Sequence, residues 1–206
     1  MKVRTQARRE AIVEAAAKLF EEVGYEAASM NELAKRLGGS KATLYGYFPS
    51  KEELLVAVVQ VFATAHLADA TVALLEELEG RPELKPTLMR FGERVLQVLT
   101  NDRTAGSIHR LILAEAGRSS IGQLFRNAGP SQCIEALTKL MTAAMEHGEM
   151  RQGDPHVIAN QFLALLTAEV NVRMYEPSPP PLRPAEIRQL VKHAVEMFLL
   201  GAAPRP

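Results

Sequence analysis

Ser40, Lys41, Thr43, Tyr45, Tyr47 and Lys51 bring hydroxyl and ammonium donors into one short stretch, and no acid occurs between Leu33 and Lys51. Donors without a neighbouring carboxylate suit the binding of a polyanion better than proton transfer. Phosphate oxygens and base edges of double-stranded DNA are the acceptors that such a set fits. The assignment is Lys41 and Thr43 to base edges or nearby phosphates, and Tyr45 and Tyr47 to phosphates through their hydroxyls. Lys51 is assigned to a phosphate at the head of the next helix, and Ser40 to a further phosphate contact.

The charge pattern agrees locally. Twenty-four basic and 24 acidic side chains cancel over the whole chain, which excludes a general cationic coat. Yet Lys35, Arg36, Lys41 and Lys51 fall in the acid-free stretch, and Lys2, Arg4, Arg8 and Arg9 lie in the first nine residues. Other chemistries find little support. His66, His109, His147, His156 and His193 fall on separate segments without paired spacing, so no metal site is expected. Cys133 is the sole cysteine, and its neighbours Gln132, Ile134 and Glu135 do nothing to activate it. With no phosphate loop and no acid/base pair at a recognisable spacing, neither catalytic residues nor a cofactor are expected, and the chain does not read as an enzyme.

A helix-turn-helix from Ser29 to Phe48 positions the donors. Ile12, Ala16, Leu19, Phe20 and Val23 have helical spacing and Gly24 follows as a cap, which predicts a first helix over Arg8–Val23. Ser29 and Glu32 form a capping-box pattern at the head of a second helix, and Gly38, Gly39 and Ser40 make a turn into a third. On that third helix Leu44 and Phe48 face a core with Ile12, Leu19, Phe20, Leu33 and Leu37. The opposite face centres on Ala42 and Gly46, flanked by Lys41, Thr43 and Tyr45. So low a profile predicts grip on phosphates and on groove shape more than base-by-base reading.

Pro49 ends the third helix, and Ser50 with Glu53 opens a long fourth one from Lys51 to about Glu79. Breaks at 80–86, 101–103, 117–120, 129–130 and 148–155 and a proline-rich loop over 177–184 divide the remainder, and no strand pattern competes. The expectation is an all-α chain of about nine helices, with a DNA-binding domain over residues 1–50 and a ligand-binding and dimerisation bundle over 51–203. No uninterrupted apolar run reaches the roughly 20 residues of a membrane span. Glu10 and Glu14 stand where a secretory leader needs apolar residues, so a cytoplasmic protein without membrane attachment is expected. Phe62, His66, His109, Ile112, Phe125 and Phe162 are the candidates for lining a cavity in the bundle. For the aromatic residues among them a plain core role competes.

Residues 5 to 60 strongly resemble the tetracycline-repressor (TetR) family. The resemblance rests on Ile12-Val13-Glu14-Ala15-Ala16, Leu19-Phe20, Gly24-Tyr25, Leu33-Ala34, the run Ser40 to Phe48, and the spacing Thr-Leu-Tyr-x-Tyr-Phe-x-Ser-Lys-Glu over 43–52. Two departures are Gly39, where the family more often has an apolar residue, and Gly46, where a larger side chain is common. The first loosens the turn and the second removes a contact. His109 to Ala116 and Ala128-Gly129-Pro130 more weakly resemble the family's multidrug-efflux regulators. The resemblance implies a homodimer with the three amino-terminal helices on operator DNA and the remaining helices forming a ligand pocket and dimer face. It further implies a repressor released from an inverted-repeat operator by a small, largely hydrophobic effector. The alternative is a DNA-binding dimer without a small-molecule effector, regulated by a protein partner.

Overall fold

A computed structural model of the chain describes residues 5–80, 83–117, 121–128, 130–176 and 179–204, with the side chains of all these except 63–66, 121, 124, 128 and 174. Among the described residues there are helices and turns and no strand. The first helix, α1 (Gln6–Ala27), starts where Thr5 Oγ1 accepts the amide of Arg8, and its regular winding breaks at Gly24, whose φ of 78° a side chain would oppose. A last turn carries Tyr25 into the core.

Three serines then punctuate the chain. Ser29 caps α2 (Met30–Arg36), Ser40 caps α3 (Lys41–Tyr47) and Ser50 caps α4 (Lys51–Val58), each oxygen accepting the amide three residues on at 3.0–3.1 Å. Only the serine half of the Ser29–Glu32 capping box is built this way. The Glu32 carboxylate instead receives Arg36 Nε at 3.3 Å.

The single fourth helix expected over 51–79 is interrupted. After α4 the winding widens to a π-helical stretch, Val59–Thr64, and α5 (Ala65–Leu78) follows. Beyond it come α6 (Leu84–Asn101), α7 (Arg103–Glu115), α8 (Ile121–Ala128), α9 (Pro130–Glu146) and α10 (Pro155–Ala168). A short 3₁₀ turn (Asn171–Tyr175) and α11 (Pro184–Ala202) complete the chain. Among the described residues eleven α-helices thus stand where the breaks suggested about nine, in part because the π-helical stretch splits one of them.

The chain divides into two compact units. The first unit joins Met1–Ala65 to Thr104–Ala128, so the packing places α7 and α8 with the head, where the sequence breaks set them in the bundle starting at residue 51. Its core contains Ile12, Leu19, Phe20, Leu33, Leu44, Phe48 and Leu54 together with Ile108 and Ile112 from α7. The second unit, His66–Arg103 and Gly129–Pro206, is built on Leu88, Phe91, Leu137, Met141, Phe162, Val191 and Phe198. There α6 closes tightly on its neighbours: a Cβ on Gly92 would lie 2.7 Å from Val191 Cγ1 and 2.9 Å from Leu166 Cδ1. No single helix among the described residues is long and apolar enough to cross a membrane.

Candidate nucleic-acid interface

The third helix is two-faced. Leu44 and Phe48 are each 3% exposed in the core, whereas Ser40, Lys41, Ala42, Thr43 and Tyr45 face solvent and Gly46 and Tyr47 are half-buried. Ser40 Oγ accepts the Thr43 amide and also lies 2.9 Å from Thr43 Oγ1, so one of the two hydroxyls donates to the other. Lys41 Nζ sits 5.6 Å from the centroid of the Tyr45 ring. The Tyr47 hydroxyl accepts the amide of Thr5 at 3.0 Å and ties the start of α1 to the end of α3.

Several cations of the basic stretch hold the head together. Arg8 Nη2 donates to the Leu37 carbonyl at 3.0 Å, and a Cβ on Gly39 would meet that same nitrogen at 3.0 Å. Gly39 was expected to loosen the turn, but the Arg8 guanidinium fills the space beside it. Arg9 lies over the Phe48 ring at 5.0 Å. Arg36 pairs with Glu22 at 2.6 Å and with Glu32, and these two bonds raise its pKa. Lys35 and Lys41 remain exposed, while Lys2 and Arg4 lie outside the described residues.

Lys51 is placed differently from its phosphate assignment. Its ammonium donates to the carbonyls of Tyr25 at 2.8 Å, Ala28 at 3.2 Å and Glu26 at 3.4 Å. An ammonium has three protons, and three carbonyls at the end of α1 surround this one. Beside it the Tyr25 hydroxyl bonds Glu52. Burial first, and then the Glu52 charge, push Tyr25 up to about 12, while Glu52's own amide, with Ser50 and Tyr25, holds its carboxyl below the usual range.

Of the cavity candidates, Phe62, His109, Ile112 and Phe125 all belong to the first unit. The rings of His109 and Phe125 meet edge to face at 5.4 Å, and Ile112 is 2% exposed. Burial, followed by the Arg110 charge, lowers the His109 pKa. Phe162 is not with them. It is completely buried in the second unit, 5.1 Å from Phe198 and 6.3 Å from Phe91 between ring centroids, as a core residue. The side chain of His66 lies outside the described residues. Sequence reasoning missed the link from Ser107 Oγ on α7 to Glu21 on α1 at 2.9 Å, to which Arg110 Nη2 adds a bond at 3.1 Å. Among the described residues no group of three or more His, Cys, Asp or Glu is placed to hold a metal ion.

Comparison with known proteins adds the lineage. A family model described as bacterial regulatory proteins of the tetR family matches residues 12–58, and one described as the C-terminal domain of AefR-like transcriptional repressors matches residues 86–201. The HTH-type transcriptional activator FasR of Mycolicibacterium smegmatis is 37% identical over 84 residues, 41% of this chain and 38% of that protein. The A-factor receptor protein of Streptomyces griseus is 30% identical over 161 residues, 76% of this chain and 51% of that protein. The chain therefore spans about half or less of the length of these two relatives. Among solved structures, the flavonoid-responsive regulator FrrA is 30% identical and superposes with a TM-score of 0.73 over 98% of this chain and 100% of that one. Matched at both its amino-terminal and its carboxy-terminal part, the chain belongs to the TetR family of DNA-binding transcriptional regulators.

Proposed function

We propose that this chain acts as a homodimer on an inverted-repeat operator, gripping DNA with α3 and its flanks, and that a small, largely hydrophobic ligand releases it. The observation that carries the reading is the two-faced third helix: Leu44 and Phe48 fix it to the head while Ser40, Lys41, Thr43 and Tyr45 stay exposed. In a dimer two such helices enter successive major grooves about 34–36 Å apart. Tyr47 and Lys51 serve in this reading mainly by holding α1 against α3 and α4, so the phosphate contacts fall to Ser40, Lys41 and Tyr45.

Residues 1–50 form the DNA-binding part and 51–203 the ligand-binding and dimerisation part. Phe62, His109, Ile112 and Phe125 are the ligand contacts; Phe62, Ile112 and Phe125 belong to the core of the head, and His109 packs against Phe125. A ligand that favours one arrangement of that core alters operator affinity by the same factor by which DNA alters ligand affinity. The flavonoid response of FrrA supports a small-molecule signal, and the repressor-type carboxy-terminal match supports repression. On α11, Met197 and Leu200 are 62% and 81% exposed and supply apolar surface for the dimer. Selection of bound DNA from a random library, repeated with a panel of hydrophobic compounds that includes flavonoids, tests the whole. Enrichment of an inverted repeat lost with one compound is expected. Failure to enrich any sequence overturns the reading.

A further inference from the structure

We propose that the operator half-site is read through thymine C5-methyl groups, received by a small methyl patch formed by Ala42 Cβ and Thr43 Cγ2. The inference rests on the DNA-binding reading above and names the base feature that the third helix recognises.

Part of the polar equipment of that helix is engaged within the protein, and the remainder suits phosphate. Ser40 Oγ and Thr43 Oγ1 are 2.9 Å apart, and Ser40 Oγ accepts the Thr43 amide as well. Lys41 Nζ lies over the Tyr45 ring, and the Tyr47 hydroxyl holds the Thr5 amide. Ala42, with a methyl, is exposed, and Gly46, with a hydrogen, is half-buried one turn further along the same helix. Neither makes the donor–acceptor pair that distinguishes guanine or adenine in the major groove. The one apolar feature on the groove floor is the thymine methyl, and alanine and threonine methyls are the side-chain groups that meet it. With Oγ1 of Thr43 turned to Ser40, the substituent that a staggered Cβ leaves for a ligand is Cγ2. The lack of a side chain at Gly46 lets the helix settle deep enough for a methyl one bond from the backbone to reach a base.

The test uses the full chain and the operator obtained by selection, with deoxyuridine replacing thymine one position at a time. Deoxyuridine keeps the pairing and O4 and deletes only the methyl. At the contacted thymines affinity is expected to fall about fourfold per methyl, the value of one buried methyl group. Thr43→Ser, which keeps the hydroxyl, becomes indifferent to deoxyuridine at one of these positions, and Ala42→Gly at its neighbour. Thr43→Val, which keeps the methyl and deletes the hydroxyl, retains the sensitivity to deoxyuridine at that position. Tight binding that every deoxyuridine exchange leaves within about twofold overturns the inference. So does loss of binding in Thr43→Val with retention in Thr43→Ser, because that pattern assigns the reading to the hydroxyl. A chain that enriches no DNA at all fails earlier, at the DNA-binding reading itself.

Discussion

Lys51 Nζ lies 2.8 Å from the carbonyl oxygen of Tyr25 and 4.2 Å from the centroid of the same residue's ring. One ammonium thus closes the carbonyl end of α1 and clamps the aromatic residue that follows the Gly24 break. The clamp joins α4 to the helix that braces α3.

Lys51→Met keeps the aliphatic stem and removes the charge. Unfolding free energy is expected to fall by about 1.5–3 kcal/mol, the range for hydrogen bonds to a charged group, in a denaturant titration. The slope of log affinity against log salt stays unchanged. A slope smaller by about one means that the ammonium leaves the carbonyls for a phosphate.

Ser40→Ala removes the cap of α3 and frees the Thr43 hydroxyl. A loss of about 1 kcal/mol in stability is expected, together with weaker binding to operator and random DNA alike, measured by denaturation and by fluorescence anisotropy.

His109 gives a pH dependence. Its pKa in the fold lies below the ordinary 6.5, chiefly because burial disfavours the imidazolium. The neutral ring therefore contributes stability that is present above pH 6.5 and declines as the pH falls below it. His109→Phe, which preserves the ring against Phe125, should flatten the melting temperature over that acidic range. An unaltered acid slope would assign it to other groups.

Phe162→Ala separates a core role from a pocket role. With Phe91 and Phe198 packed around it, the truncation is expected to cost about 3–5 kcal/mol by thermal or chemical denaturation. A near-neutral effect accompanied by a lost ligand response would return the residue to the pocket.

Leu200→Glu places a charge on the apolar surface of α11 without touching the protomer core, since the residue is 81% exposed. Sedimentation should show monomers with an unchanged helical spectrum, and operator affinity should drop steeply because each head then binds alone.

The elements of the head were legible because their signals are local. Ser29, Ser40 and Ser50 each act on an amide three residues away, and Leu44 and Phe48 lie one turn apart on α3. The roles of the cations were not. Arg8 reaches a carbonyl 29 positions away, Lys51 one 26 positions away, and Ser107 binds a carboxylate 86 positions away. Nothing near a lysine in the sequence distinguishes one spent on carbonyls from one left for phosphate. The π-helical stretch Val59–Thr64 was hidden for a related reason. Val59, Val61 and Phe62 suit either winding, and packing decides between them.

Ile108 and Ile112, 1% and 2% exposed, complete a core whose other members come from residues 12–59. The amino-terminal head is therefore discontinuous in the gene order of the chain. During synthesis it waits, with part of its apolar surface still wet, until residues 66–103 have been made and α7 arrives. The unit that begins first matures late. A nascent or truncated chain that stops before α7 lacks a finished head, so the first unit's core closes only after much of the second unit's sequence already exists.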